Sequence, residues 1–366
     1  MLEIQKFIQQ NTDWEIKLTK SPYDLIIKRK DNLVLFKYTQ GVSDFSYKIP
    51  NEARGLILEE GTWKVVKAAF WKFFNLWEEH AAQIDWASAQ VTEKMDGTCV
   101  SLYWYDNEWK IGTNSNIDAH DSSLNIGGYK TYYDLCAAAL RKYKVDFDKL
   151  NKNYTYTFEL CSPYSRIVCK FNEIELYLIL VRDNYTLDEI DIKSISKEIG
   201  VPTPKFFPIV SNNPEDFTNI VNSFNDNQEG IVVKDKFNNR VKIKSEQYFY
   251  IHHLINNHNF TRARAFDLIF KNDFEVLVYF PEYTEFFDNL KEELKAAQQR
   301  IGDIKIEVTK WKIENKDANR KEFMNFVMKN IKPEERKYYF WAFGGEITPP
   351  DTDDVYMLMK FYNLEK

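Results

Sequence analysis

Glu93-Lys94-Met95-Asp96-Gly97-Thr98 runs directly into Cys99-Val100-Ser101-Leu102-Tyr103-Trp104-Tyr105. The first six residues read as a turn and the next seven as the strand it feeds. A lysine two residues ahead of Asp-Gly, at the mouth of a strand, can present its ε-amine to a phosphorus atom while the glycine admits close backbone approach. Such an amine attacks only after losing its proton, which burial or neighbouring cations promote by lowering its pKa. Alone, the same residues also suit an ordinary hairpin turn, so the choice between the two rests on what surrounds them.

Upstream, residues 3–10 have the spacing of a short amphipathic helix, and Trp14 to Lys20 and Leu25 to Tyr38 alternate as strands with a hairpin turn at Lys30-Asp31-Asn32. Arg54-Gly55-Leu56-Ile57-Leu58 pairs with Trp63 to Phe70 across Glu60-Gly61, and the hairpin ends at Lys72-Phe73-Phe74-Asn75-Leu76. An arginine and a lysine delivered by such strand ends suit either a phosphate clamp or solvent. Downstream, Glu108 to Thr113, Tyr154 to Leu160 and Glu175 to Arg182 read as strands, with helices at Tyr132 to Tyr143 and Asp188 to Ile199. In the helix at 132–143, Leu135, Ala138, Ala139 and Tyr143 fall on the inner face. Glu159 closes its strand, where a carboxylate can hold a ribose hydroxyl or a metal-bound water. Glu229-Gly230-Ile231-Val232-Val233-Lys234 is followed by Val241-Lys242-Ile243-Lys244-Ser245, whose period of two places both lysines on one face. From Ile255 the pattern becomes helical, as in Phe286 to Arg300 and Lys316 to Asn330, with Pro333 opening a further segment.

The 366 residues suit two domains. Aromatic residues make up 16% and Gly and Pro are scarce, which favours packed cores over disorder. A net charge of −6 excludes a global basic field and leaves room only for a local basic groove. The four cysteines and five histidines match no zinc spacing, so reduced thiols are expected. No run of about 18 apolar residues occurs, and the start lacks an apolar signal core. The expectation is a soluble, cytoplasmic protein without a membrane partner.

Taken in order, Lys94-Met95-Asp96-Gly97, Phe158-Glu159-Leu160-Cys161-Ser162-Pro163-Tyr164-Ser165-Arg166, Glu229-Gly230 and Lys242-Ile243-Lys244 resemble the covalent nucleotidyltransferase superfamily, and within it the phage RNA ligases of the type 1 class. Glu52-Ala53-Arg54-Gly55 and Lys72-Phe73-Phe74-Asn75 resemble that pattern too, so the likeness spans roughly residues 36–250. One short motif is weak evidence, and six in order are strong. The resemblance implies an adenylyltransferase domain of mainly antiparallel sheets over 1–254; with the helical pattern that follows it, the expectation is an α+β chain ending in an all-α domain over 255–366, the surface left to select RNA. It implies that Lys94 attacks the α-phosphate of ATP and becomes lysyl-AMP. Glu159 and Glu229 would hold the ribose and, directly or through water, the metal (Mg²⁺, or Mn²⁺). Lys242 and Lys244 would face the phosphates and complete the catalytic set with Lys94 and Glu229. Tyr38, Arg54, Lys72, Phe74, Asp96 and Gly97 would bind the nucleotide, with Lys72 on the departing pyrophosphate and Phe74 against the nucleoside.

The implied substrate is RNA with 5′-phosphate and 3′-hydroxyl ends, such as a cleaved tRNA, joined by a monomer in the cytoplasm (the host's, if a phage encodes it). Basic residues Arg262, Arg264, Lys310, Lys312, Arg320 and Lys321 are available to track its phosphates, although for any single one of them a solvated helix face is the commoner role. One position departs from the family pattern: its usual basic residue in a serine-rich turn is replaced within Gly112-Thr113-Asn114-Ser115-Asn116 by Asn114. A DNA ligase or an mRNA guanylyltransferase would share the lysine chemistry, but both would carry a β-rich domain where this chain turns helical. A non-catalytic RNA-binding relative would not need all the charged positions together.

Overall fold

The computed structural model describes residues 1–209, 213–225, 227–248, 265, 283–316, 318–333 and 335–344. The chain divides into two compact units, Met1–His253 and Leu254–Lys366. The first is α+β and is built on three large sheets, with a two-stranded ribbon of Ser123–Ile126 and Tyr129–Thr131 beside them. Leu25–Lys30, Leu33–Tyr38, Arg54–Glu59 and Val65–Lys67 form an antiparallel meander. A second sheet has the order Glu189–Ile190, Glu175–Asp183, Tyr154–Cys161, Thr98–Tyr105, Glu108–Thr113. The third has the order Phe206–Phe207, Gln90–Lys94, Gly230–Lys234, Arg240–Lys244, Phe74–Asn75, with only the last pair parallel. Lys94 is the last residue of a strand in the third sheet, and Thr98 begins a strand of the second. The opening motif is therefore the crossing between two sheets and not a hairpin turn. The real hairpin follows it at Asp106-Asn107, where both residues take positive φ (51° and 60°), as a two-residue turn between twisted strands demands.

Two expected elements differ. Trp14 to Lys20 is a short helix, Trp14–Leu18, and not a strand. A period of two would bury Ile16, yet Ile16 is 59% exposed, while Leu18 is buried and Trp14 packs edge-on against Trp63. Residues four apart share a helix face, so the same apolar residues satisfy both patterns. The helix expected from Asp188 begins at Ile192, because Asp191 caps it by accepting from Lys193 N and Ser194 N, and Glu189–Ile190 is instead an edge strand. In the helix Tyr132–Lys142, Leu135 and Ala139 are buried as expected, joined by Cys136 and Leu140, while Ala138 and Tyr143 are only half-buried.

Glycine 230 shows how tightly the third sheet is assembled. A Cβ there would lie 2.0 Å from the Ile243 carbonyl oxygen of the neighbouring strand, with backbone φ at +155°. Backbone cannot yield as a flexible side chain would, so Gly230→Ala is expected to cost more than about 3 kcal/mol. Loss of the cooperative thermal transition, or a large fall in its midpoint, checks this.

In the second unit, Thr284–Glu314, Arg320–Asn330 and Arg336–Gly344 are helices around Ile304, Val308, Phe323, Val327 and Tyr339. The first runs past Arg300, carried by the i, i+4 pair Ile304 and Val308. The second starts at Arg320 because Asn319 and Glu322 form a capping box. All regular structure among the described residues of this unit is helical. Arg262 and Arg264 lie outside the described residues, whereas Lys310, Lys312, Arg320 and Lys321 are exposed on these helices. No helix among the described residues is long and apolar enough to cross a membrane.

Candidate active site

Adjacent strands of the third sheet deliver the site. Gly230 sits opposite both Lys94 and Lys244, which places Glu229 between the two lysines. The Glu229 carboxylate bridges them: Lys94 Nζ donates to Oε2 at 2.7 Å, and Lys244 Nζ lies 2.8 Å from Oε1. Glu229 is 2% exposed and Lys94 22%, so the pair is shielded but open on the lysine side. On Arg240–Lys244, Val241 and Ile243 face the core and both lysines face a cavity of about 820 Å³. Tyr38, Arg54, Lys72, Lys94, Asp96, Gly97, Glu159, Glu229, Lys242 and Lys244 all line that cavity. Of the expected site residues only Phe74 does not, because it is buried behind Lys72 while Phe73 takes the position on the wall.

Charge is distributed differently from expectation. Burial pulls the Lys94 pKa down, but Glu229, Glu159 and Asp96 outweigh it, and the amine is held protonated above its ordinary value. The expected lowering falls instead on Lys242, brought to about 8 by burial and by the cations Lys244, Lys72 and Lys94. Glu159 is pushed up to about 7, chiefly by burial and against the pull of Lys94. Lys72 is caged by aromatic rings, its Nζ 5.0 Å from the Tyr38 and Phe74 centroids and 5.2 Å from that of Phe45. Asp96, expected to bind nucleotide, has both oxygens engaged by protein: Val168 N and Cys169 N donate to Oδ2, and the Tyr248 hydroxyl to Oδ1. Its carboxylate anchors the turn. Gly97 is needed because a Cβ there would meet the Leu160 carbonyl at 2.6 Å.

A family model described as RNA ligase matches residues 52–254, more than half of the chain. The chain belongs to this RNA ligase family. The matched span holds every expected site residue except Tyr38. The RNA ligase of Rhodothermus phage RM378 is 33% identical over 192 residues, covering 43% of this chain and 43% of that protein. An RNA ligase of Naegleria gruberi, solved with ATP and Mn, is 18% identical, with 45% of this chain and 51% of that one covered at a TM-score of 0.36. An archaeal ATP-dependent RNA ligase is 14% identical, with 83% and 82% covered at a TM-score of 0.45. The chain thus spans about half the length, or less, of the phage and Naegleria relatives.

Two residues of this family member carry no signal in periodicity or motif. Glu189, buried, accepts from Arg182 at 3.0 Å, Lys234 at 3.0 Å and both terminal nitrogens of Arg240, and it is held near pKa 2 by those cations against burial. It ties an edge of the second sheet to the third at the cavity wall. Lys37 donates to Ser115 Oγ at the cavity rim, beside Asn114. A lone acid or lysine in a strand ordinarily reads as a solvated charge, and only the tertiary pairing reveals these two.

The Glu159 carboxyl yields a pH-dependent expectation. Its folded pKa, about 7, lies above the ordinary 4.5, so the fold prefers the protonated form. The ionised group costs stability above pH 7, and that cost shrinks to nothing as the pH falls toward 4.5. Glu159→Gln is therefore expected to stabilise the protein by about 3 kcal/mol at pH 8 and by little at pH 4.5. Thermal melts across that range check the sign.

Proposed function

We infer that this protein is an ATP-dependent RNA ligase. The observation that carries the reading is the buried Glu229 carboxylate held between Lys94 and Lys244 on the wall of a large cavity that also gathers Lys242, Lys72, Arg54 and Glu159. In the first step the Lys94 amine attacks the α-phosphorus of ATP. A P–N bond forms as the P–O bond to pyrophosphate breaks, giving lysyl-AMP. Before that attack Lys94 must surrender the proton that Glu229 stabilises, so nucleotide binding has to loosen this ion pair. Lys242 and Lys244 then neutralise charge building on the phosphoryl oxygens, and Lys72, fixed in its aromatic cage, receives the pyrophosphate. In the second step AMP passes to the 5′-phosphate of an RNA strand. In the third a 3′-hydroxyl attacks that phosphate, sealing the strand and releasing AMP.

Among the described residues no cluster of three or more His, Cys, Asp or Glu side chains is arranged to hold a metal by itself. Two carboxylates, Glu159 and Glu229, with the phosphates of ATP, suit Mg²⁺ or Mn²⁺, which keep several waters and bind through substrate oxygens. The bound ion would supply positive charge at the phosphates. The helical unit, with Lys310, Lys312, Arg320 and Lys321 exposed, is the surface assigned to RNA selection, and a cleaved tRNA is the proposed substrate. The protein is proposed to act as a monomer in the cytoplasm.

Joining of labelled 5′-phosphorylated strands tests the reading. RNA ends sealed with ATP, and DNA ends sealed far more slowly, are expected. Sealing of DNA alone, or GMP transfer without sealing, would replace it with the DNA ligase or guanylyltransferase alternative.

A further inference from the structure

Lys67 is the one lysine of the first unit's described residues that is wholly buried, at 0% exposure. No carboxylate among the described residues pairs with it. Its ammonium instead donates to two backbone carbonyls, Gly55 O at 3.0 Å and Thr113 O at 2.7 Å. These belong to separate segments that touch under the cavity. Gly55 takes φ +76°, and a Cβ on it would lie 2.7 Å from the Asn114 Cα, so the two backbones meet where only glycine fits. The next residue on each side of this junction lines the cavity: Arg54 precedes Gly55, and Asn114 follows Thr113. Both carry a buried polar atom without a protein partner, Arg54 Nη1 and Asn114 Oδ1. Buried polar atoms are rarely left unpaired, and two of them on residues that line one cavity mark a surface made for a polar ligand.

We propose that Lys67 is a positioning residue for nucleotide binding, clamping the Arg54-Gly55 and Thr113-Asn114 segments together so that Arg54 Nη1 and Asn114 Oδ1 stay set for a polar group of the nucleotide. A lysine at this place is costly: its pKa is brought down to about 8, chiefly by burial, with Cys99 opposing the shift and Arg54 adding repulsion. A short polar side chain could not reach both carbonyls, and an apolar one would leave both unpaired. The clamp acts before chemistry. Its loss weakens binding and leaves the attack by Lys94 on bound nucleotide largely intact.

The inference rests on the proposed ATP chemistry, and the test separates the two. ATP affinity is measured by calorimetry in Lys94→Ala, which binds without reacting, and in the same protein carrying Lys67→Met or Lys67→Gln, with thermal melts as the folding control. The expected result is a Kd raised about tenfold by Lys67→Met, the scale of one displaced hydrogen bond to a charged group, and partly restored by Lys67→Gln, whose amide can still donate. In the presence of Lys94, the adenylation rate at saturating ATP should change less than about threefold. An unchanged Kd in a folded Lys67→Met protein overturns the proposal, as does a fall in the saturated rate with Kd unaltered. Should Lys67→Met not fold, the Lys67→Gln value decides, with an unchanged Kd counting against the clamp. Failure of the unsubstituted protein to bind ATP or form any adduct would instead count against the ligase reading itself.

Discussion

Lys94→Ala is expected to lower covalent AMP transfer from ATP by more than ~10⁴-fold, to the limit of detection, because no other amine occupies the end of the Gln90–Lys94 strand. Lys94→Arg should be equally inactive, since a guanidinium stays protonated at any workable pH. Labelled ATP, acid quench and gel analysis of the denatured chain supply the measurement. The fold should survive both changes: Glu229 keeps Lys244 as a partner at 2.8 Å, and Lys94 stands partly exposed at the cavity wall. An inactive but cooperatively melting protein is the expected pair of results, and adduct formation at the normal rate would refute the assignment of the nucleophile.

The second large effect lies on the neighbouring strand. Lys242→Ala and Lys244→Ala should each reduce the rate of lysyl-AMP formation by about 10²–10³, the usual worth of a donor facing a charged transition state. Their effects on stability should differ in sign. Lys242 has no ion-pair partner among the described residues and its folded pKa, about 8, sits below the ordinary 10.5. Its charged form is therefore disfavoured by folding below pH 8, a cost relieved as the pH rises toward 10.5. Removing it should raise the melting temperature at pH 7. Removing Lys244 takes one of two cations from buried Glu229 and should lower the melting temperature. Equal and small effects of both substitutions on rate would mean that the strand face serves only solubility.

How far the chain could be read without coordinates depends on whether a residue's role follows from its neighbours in sequence. The lysine face of Arg240–Lys244 did, because a strand has a period of two and Val241 and Ile243 mark the buried side. The order of motifs placed Lys94, Glu229, Lys242 and Lys244 in one group, and strand pairing at Gly230 joins them. Trp14–Leu18 was ambiguous because apolar residues four apart fit both periods. Lys67 and Glu189 were hidden for another reason. Val65-Val66-Lys67 looks like a strand ending in a surface charge, and only contact with Thr113, 46 residues away, shows the ammonium to be enclosed. Phe73 and Phe74 are adjacent, and which of them faces the cavity depends on the parallel pairing of Phe74–Asn75 with Val241 and Lys242. Motif likeness gives the group of residues and leaves the orientation of each to packing.

The charge state of Lys94 is where sequence logic and structure part most clearly. Two neighbouring lysines suggested an amine already primed to attack, yet three carboxylates surround it and hold the proton. On the proposed chemistry Glu229 would thereby keep the free protein from presenting a naked nucleophile, and the ion pair is what substrate would have to open. Mutational loss of Glu229 would leave Lys94 and Lys244 unpaired side by side.

Intact-mass spectrometry of the purified protein after incubation with ATP and Mg²⁺, followed by peptide mapping, addresses the central claim most directly. A mass gain of one AMP located on the peptide containing Lys94, absent with GTP and discharged on adding 5′-phosphorylated RNA, is the predicted result. An adduct on any other residue, a GMP adduct formed in preference, or an adduct that RNA fails to discharge would contradict it.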